Sequence, residues 1–227
     1  MIIGSPCSDN TTTEHFHQFL GLLSDKPETI TYLEFRADYH VEIRFESGQK
    51  QEIPFLKLPL SNLPADFFPT TCKTCVDYVN SLSDITVGYM AGTGEQWIII
   101  RNVKGKGLAS LLAAELVLEP LSSAGNRLSP VKGFMRNVEL AAGGLPLQRM
   151  PNFLRGIFAW VMPRFGPRGL EFAKARIEMK AIESIIHLRN TAPHKIKNMV
   201  PGHIWKLVQA YGLKPSNDEI KGSREST

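Results

Sequence analysis

The chain opens on Ile2-Ile3, an apolar pair that stops at Gly4-Ser5-Pro6 and reads as the end of a short strand. Phe16, Phe19, Leu20 and Leu23 follow at the i, i+3, i+4, i+7 spacing of one helix face, which predicts an amphipathic helix over 12–23. Thr11-Thr12-Thr13-Glu14 just before it predicts a capping box, in which a Thr hydroxyl and a Glu three residues later satisfy each other's free amides. Residues 29–35 are rich in strand formers. Val41, Ile43 and Phe45 then alternate with Glu42, Arg44 and Glu46, the period of a half-buried strand. Ser47-Gly48 turns the chain and 51–55 returns it as a hairpin. Pro54, Pro59, Pro64 and Pro69 punctuate an irregular stretch after that.

Further on, 84–90 and 97–101 read as strands around Gly92-Thr93-Gly94, and 108–118 as a helix preceded by Gly105 and Gly107. Residues 119–150 carry Pro120, Gly125, Pro130, Gly133, Gly143, Gly144 and Pro146 and predict a long loop or linker. Helices are expected at about 152–161, 168–190 and 202–211, separated by Pro163, Pro167, Pro193 and Pro201. The polar residues 214–227 predict a disordered tail. The order implies an α/β (α+β) fold: a mixed-sheet core with a hairpin and flanking helices over 1–118, the linker 119–150, a helical extension over 151–213, and the tail.

Composition adds limits. With 227 residues and 43% hydrophobic positions the chain can bury a core. No apolar run approaches the roughly 18 residues that span a bilayer, and the N-terminus does not read as a signal peptide. Three cysteines, an odd number, argue against a disulfide framework and for a reducing, cytoplasmic setting. The net charge of +4 hides an asymmetry: from Pro151 onward there are 13 Lys/Arg against 6 Asp/Glu, and before it 13 against 16. A basic C-terminal part could meet an acidic partner, an anionic lipid surface or a nucleic acid, but a solvated helix surface is the simpler reading and no nucleic acid is expected. Phe153, Leu154, Ile157, Phe158, Trp160, Val161 and Met162, with Arg155, Arg164 and Arg168 around them, could lie on a membrane interface. The run is short, so core packing is preferred.

The chemistry centres on the cysteines. Cys72-Lys73-Thr74-Cys75 is a C-x-x-C pair whose turn points both sulfurs one way, and Cys7 sits in a Gly/Pro turn. A thioredoxin-type pair would need a strand before it, whereas a proline-rich loop stands there. A structural zinc site would want a second pair, and none of the six histidines has finger spacing to a cysteine. Metal or cluster binding and ordinary thiols both remain open at this level. Asp77, Asn80 and Asp84 follow at helical spacing and suit either cofactor contact or helix capping. Arg101-Asn102-x-x-Gly105 at a strand end suits an anion or flavin contact.

Taken together, Gly4-Ser5-Pro6-Cys7-Ser8-Asp9-Asn10, Cys72 to Tyr78, Asp84 to Met90 and Arg101 to Gly105 resemble, in this order, the C-terminal domain of the coenzyme F-420 hydrogenase/dehydrogenase beta-subunit family. Gly166-Pro167-Arg168-Gly169-Leu170-Glu171-Phe172-Ala173 is similar to a segment of its chlorophyll-reductase branch. The resemblance implies a redox protein with a 4Fe-4S cluster and FAD. A ferredoxin-like donor would feed it, and a conjugated substrate such as a chlorophyll-type tetrapyrrole would receive the electrons. It makes Cys7, Cys72 and Cys75 cluster ligands, with Asn10, Thr11, Thr12 and Thr13, the 101–105 segment, and Asp77, Asn80 and Asp84 as candidates for flavin contact. Members of the family that the chain resembles usually carry an upstream C-x-x-C-G-x-C segment that this sequence does not show. A partner subunit supplying that module, or a truncated reading frame, is therefore an expectation too. The corresponding alternative function is a non-catalytic electron-transfer subunit.

Overall fold

The alternation at 40–45 builds the centre of a sheet. Strand β3 (His40–Phe45) lies between β2 (Ile30–Phe35) and β4 (Lys50–Pro54), antiparallel to both. Val41 and Ile43 are fully buried, while Glu42 and Arg44 on the other face pair with each other. The inward face packs on Phe19 of helix α1 (Thr13–Leu23) and on Leu58, Leu63, Phe67 and Leu145. The structure, a computed structural model, describes residues 1–89, 96–117, 119–120, 122–147 and 150–220.

A second sheet has the order β1-β5-β6. Strand β1 (Ile3–Gly4) runs parallel to β5 (Ile85–Tyr89), and β6 (Gln96–Ile100) is antiparallel to it. Helix α3 (Val103–Leu111) follows. A two-stranded pair joins β7 (Ser123–Ala124) to β8 (Arg168–Gly169). The rest is helical: α2 (Thr70–Lys73), α4 (Leu128–Ala141), α5 (Asn152–Phe165), α6 (Leu170–Thr191), α7 (Ile196–Met199) and α8 (Gly202–Val208). Ile182, Ile185 and Leu188 of α6 form a second core with Val131 and Val138 of α4, Ile196 of α7, and Trp205 and Val208 of α8. The fold is thus mixed α/β with a helical C-terminal region, as expected. Among the described residues no helix is long and apolar enough to cross a membrane.

Several expectations need correction. The first helix is capped by Thr12, whose hydroxyl accepts the His15 amide at 3.2 Å. Thr11 instead donates its hydroxyl to the Phe67 carbonyl at 2.7 Å, so Glu14 is not at the third helical position and no box closes there. Helix α3 begins at Val103, because the Asn102 carboxamide accepts the Gly105 amide at 3.0 Å and nucleates the turn, and it ends at Leu111, so only 108–111 of the expected 108–118 helix is helical and 112–117 is turn and irregular chain. The expected loop 119–150 contains α4. Its Pro130 sits in the first turn, where the missing N–H is harmless, and Gly133 faces outward. Helix α5 continues through Pro163 to Phe165, since a proline in the last turn removes only one bond.

The expected tail is ordered over its first part. Arg189 donates Nε and Nη2 to the Glu219 carboxylate, both at 2.8 Å, and Nη2 also to the Lys214 carbonyl at 2.7 Å. The aromatic run of α5 is not core: Phe153, Ile157, Trp160 and Phe165 are exposed. The expected Gly92-Thr93-Gly94 turn, the end of the predicted 108–118 helix at Leu118, and residues 221–227 of the tail lie outside the described residues.

Candidate functional site

A polar stripe on α6 organises the cysteines. Arg176, Lys180 and Ser184 recur at steps of four, so they share one face of the helix. Arg176 Nη2 donates to Ser8 Oγ at 2.5 Å, and its guanidinium stands 6.0 Å over the Tyr78 ring. Lys180, only 2% exposed, donates to Asp9 Oδ1 at 2.7 Å and to the Cys72 carbonyl at 2.7 Å. Ser184, fully buried, donates to the Cys75 carbonyl at 2.8 Å. Two segments distant in sequence, the Cys7 turn and the C-x-x-C turn, are thereby tied to the same helix. A direct bond joins them as well, from the Cys7 amide to the Tyr78 carbonyl at 2.9 Å.

The electrostatics agree with this convergence. Although Cys7 is exposed, the protein around it desolvates the thiol in part and raises it above its ordinary value, the neighbouring Cys72, Asp9 and Cys75 push it further, and Lys180 pulls it back. The Cys7 side chain therefore stands near those of Cys72 and Cys75. Cys7 and Cys75 are exposed and Cys72 is partly buried. Among the described residues, no group of three or more His, Cys, Asp or Glu side chains is gathered tightly enough to hold a single metal ion. Desolvation also raises the Asp9 carboxyl, against the pull of Lys180, Arg176 and Lys73.

One helical turn on, Glu183 and His187 line a small pocket with Lys73, Phe68, Val138 and Leu145. Solvent reaches one edge of Glu183, yet the surrounding protein desolvates it enough to push its carboxyl up to about 7. The Asp9 charge adds to that rise, and Lys180, Arg176 and Lys73 oppose it. His187 is shifted the other way, downward, by burial and by Lys73 and Lys180. A carboxyl with a raised folded value binds its proton more readily folded than unfolded. Its stabilising contribution is full below the unfolded value of 4.5 and is lost as pH rises through about 7. Glu183→Gln in the cofactor-free chain is therefore expected to be more stable than the parent at pH 8, by about 1–2 kcal/mol after allowance for partial exposure, with no difference at pH 4. Urea unfolding at both pH values measures it, and equal stability at pH 8 would contradict the assignment.

The remaining candidate residues brace the β1-β5-β6 sheet. Asp77 accepts the Ser81 amide with both carboxylate oxygens, at 2.8 and 2.9 Å. Asn80, in a left-handed conformation at φ 54°, donates its amide to the Ser5 carbonyl. Asp84 accepts the Ile2 amide and the Asn102 side-chain amide, both at 2.7 Å, and these bonds hold its carboxyl below the ordinary carboxylate range. Arg101 donates Nη1 to Ser83 Oγ at 3.0 Å and Thr86 Oγ1 at 2.6 Å, and Nη2 to the Val79 carbonyl at 2.7 Å. At Gly105 an added Cβ would stand 2.3 Å from the Asp84 carbonyl oxygen, so glycine lets α3 press on the sheet.

Each of these groups already bonds a neighbour in the fold, with Asp77, Asn80 and Arg101 half-buried and Asn102 exposed. The Asn10–Thr13 turn is more open: Asn10, Thr12 and Thr13 are exposed, and Asn10 accepts the Thr11 amide at 2.9 Å. Because a lysine ammonium is a single point of charge and cannot reproduce the planar fork that places Nη1 on Ser83 and Thr86 and Nη2 on Val79, Arg101→Lys is expected to lower stability by about 1–3 kcal/mol. An unchanged urea midpoint would show that the fork is not what holds residues 79–86.

Sequence reasoning missed Arg176, Lys180, Glu183 and Ser184. The available signal was the i, i+4, i+8 recurrence of Arg176, Lys180 and Ser184 on a helix that also carries the core residues Ile182, Ile185 and Leu188. The basic C-terminal half is also less free than its count suggests, because Lys180, Arg155 and Arg189 are bonded internally.

Comparison with known proteins extends this geometry. Residues 1–123 match the family described as the C terminus of the coenzyme F420 hydrogenase/dehydrogenase beta subunit. The uncharacterized protein all1601 of Nostoc sp. (strain PCC 7120) is 34% identical over 213 residues, covering 93% of this chain and 52% of that protein. The chloroplastic 7-hydroxymethyl chlorophyll a reductase of Oryza sativa subsp. japonica is 32% identical over 221 residues, covering 92% of this chain and 47% of the reductase. The chain thus spans about half the length of these curated relatives. A chain of the F420-reducing NiFe hydrogenase complex from Methanosarcina barkeri aligns over 50% of this chain and 37% of its own length, with 19% identity and a TM-score of 0.39. The matched region holds the Cys7 turn, the C-x-x-C turn and the braced sheet, and on that match the chain belongs to the coenzyme F420 hydrogenase/dehydrogenase beta-subunit family.

Proposed function

We propose that this chain is the cofactor-bearing core of an oxidoreductase that passes electrons from a ferredoxin-like donor to a conjugated substrate of chlorophyll type. Cys7, Cys72 and Cys75 are read as ligands of one 4Fe-4S cluster, with FAD beside it. The observation that carries the reading is the tethering of both cysteine turns to the Arg176–Lys180–Ser184 face of α6. The donor set suits a cluster better than a lone ion. Each cysteine ligand takes a different iron corner, so the sulfurs stand further apart than ligands of one metal.

Bound cofactors would supply one-electron exchange at the cluster and two-electron storage at the flavin. The residues here do the holding. Lys180 places a buried cation beside the thiolates and orients the Cys72 backbone, Ser184 fixes Cys75, and the Cys7–Tyr78 bond sets the distance between the turns. The Asn10–Thr13 turn at the start of α1, three residues past Cys7 and exposed at Asn10, Thr12 and Thr13, is read as the polar surface for a flavin. A second reading is an electron-transfer subunit that a partner with a cysteine-rich module completes. It is favoured by the count of three thiols where a cluster takes four. Anaerobic purification, a visible spectrum, and iron, sulfide and flavin analysis test the proposal. Flavin with about four irons per chain supports it. A colourless folded chain that stays colourless after reconstitution with iron and sulfide contradicts it.

A further inference from the structure

Helix α5 is inside out. Its buried side carries Arg155 and Ala159, each 6% exposed. Arg155 Nε donates to the Leu56 carbonyl at 2.9 Å, and Nη2 bonds the Leu58 carbonyl. These bonds fix the rotational phase of the helix. With Arg155 inward, Phe153, Ile157 and Trp160 fall on the opposite side of the helix, and they are 69%, 53% and 57% exposed, while Phe165 at the helix end is 69% exposed with its ring 6.4 Å from that of Trp160. Single exposed apolar side chains are ordinary. Three large apolar side chains exposed on one helix face, with Phe165 against the last of them, mark an interaction surface.

The charge around it says what it fits. From Leu140 to Leu170 the sequence has no Asp or Glu, and its charged residues are Arg149, Arg155, Arg164 and Arg168. The Arg164 guanidinium lies 4.6 Å over the Trp160 ring. Beside that pair opens a cleft of about 400 Å³ lined by His40, Lys57, Trp160 and Arg164, with no carboxylate in its wall. Tryptophan and arginine together sit well at the level of lipid headgroups, where the ring is half in the apolar layer and the cation meets phosphate. At 14 residues the helix is about 21 Å long, enough to lie in the interface and too short to span it.

We infer that α5 docks the protein on an anionic lipid surface, with Phe153, Ile157, Trp160 and Phe165 entering the acyl boundary and the Lys57–Arg164 cleft receiving a phosphate headgroup. This surface is independent of the cysteine site and goes beyond the redox reading.

Flotation of the full chain with vesicles tests it, using phosphatidylcholine with and without phosphatidylglycerol, at low and high salt. The parent is expected to float with the anionic vesicles at low salt and much less at high salt. The Phe153→Ser/Trp160→Ser double variant should lose about tenfold or more of that binding, and Arg164→Gln should lose the preference for the anionic vesicles. These residues are exposed, so a circular dichroism spectrum like the parent's is expected for each variant. Failure of the parent to float, or equal flotation of the double variant, overturns the inference. A concentration-dependent dimer that the double variant abolishes, with no vesicle binding, overturns it in favour of a second copy as the occupant of this face.

Discussion

Lys180→Met is expected to lower the unfolding free energy by about 3–5 kcal/mol, the range for removing one partner of a buried ion pair. Lys180 is 2% exposed and has two acceptors, Asp9 Oδ1 and the Cys72 carbonyl, both at 2.7 Å. Methionine fills similar space but donates nothing. The Asp9 carboxylate, already raised by desolvation, would lose its nearest counter-charge, and the Cys72 carbonyl would lose a donor. The loss comes from the groups left behind, which gives a control. Asp9→Asn combined with Lys180→Met removes the stranded charge and should recover a good part of the stability, leaving a coupling energy of about 1–3 kcal/mol. Urea unfolding of the parent, both single variants and the double variant measures this. A Lys180→Met loss below about 1 kcal/mol, the scale of an exposed pair, would mean that the ammonium does not clamp the two turns.

The second large effect is expected at Arg127, where α4 meets α6. Its Nε donates to both oxygens of Glu178 at 3.1 and 2.9 Å, and Nη1 donates to Glu171 at 2.6 Å. Glu178 is 4% exposed and also accepts the Tyr211 hydroxyl. Burial and the neighbouring Glu178 push the Tyr211 phenol well above its ordinary value, so it stays a donor throughout the working range. Arg127→Met leaves the Glu178 carboxylate with that single neutral donor and should lower stability by about 2–4 kcal/mol. Glu171→Gln keeps the Glu178 pairing and should lose less than half as much. If the two variants lose equal amounts, the bond to buried Glu178 is not the one that fixes α4.

How much of this could be read from the chain depended on whether the pattern was local. The hairpin at 40–54 was legible because alternation and a Ser-Gly turn act within a few residues, and Val41 and Ile43 are buried as their period requires. The 119–150 segment misled because glycine and proline count as breakers wherever they fall. Yet Pro130 stands in a first turn and Gly133 faces outward, while Val131 and Val138 supply a buried face. Helix α5 was legible as a helix but not in its orientation. Nothing near it in sequence reveals that Arg155 has carbonyl partners at Leu56 and Leu58.

The same division holds for the site. The cysteines could be read from their own spacing, and the family likeness from the order of the short motifs. The clamp could not, because Arg176, Lys180 and Ser184 come from a helix far along the chain and look like ordinary solvated positions until the fold brings Ser8, Asp9, Cys72 and Cys75 onto them. Conversely, Asp84, Arg101, Asn102 and Gly105 stood out as polar or glycine positions at strand ends. Their bonds show that such patterns serve a tight sheet–helix contact as readily as a ligand.

The proposed function rests on Cys7 sharing one iron–sulfur site with Cys72 and Cys75. The most direct measurement is the iron and sulfide content, with the visible spectrum, of the anaerobically reconstituted chain and of Cys7→Ser beside Cys72→Ser and Cys75→Ser. The account predicts that Cys7→Ser loses the iron and the absorbance to the same extent as the other two, with each variant still folded. Full iron retention in Cys7→Ser, with loss confined to Cys72→Ser and Cys75→Ser, would contradict the shared site.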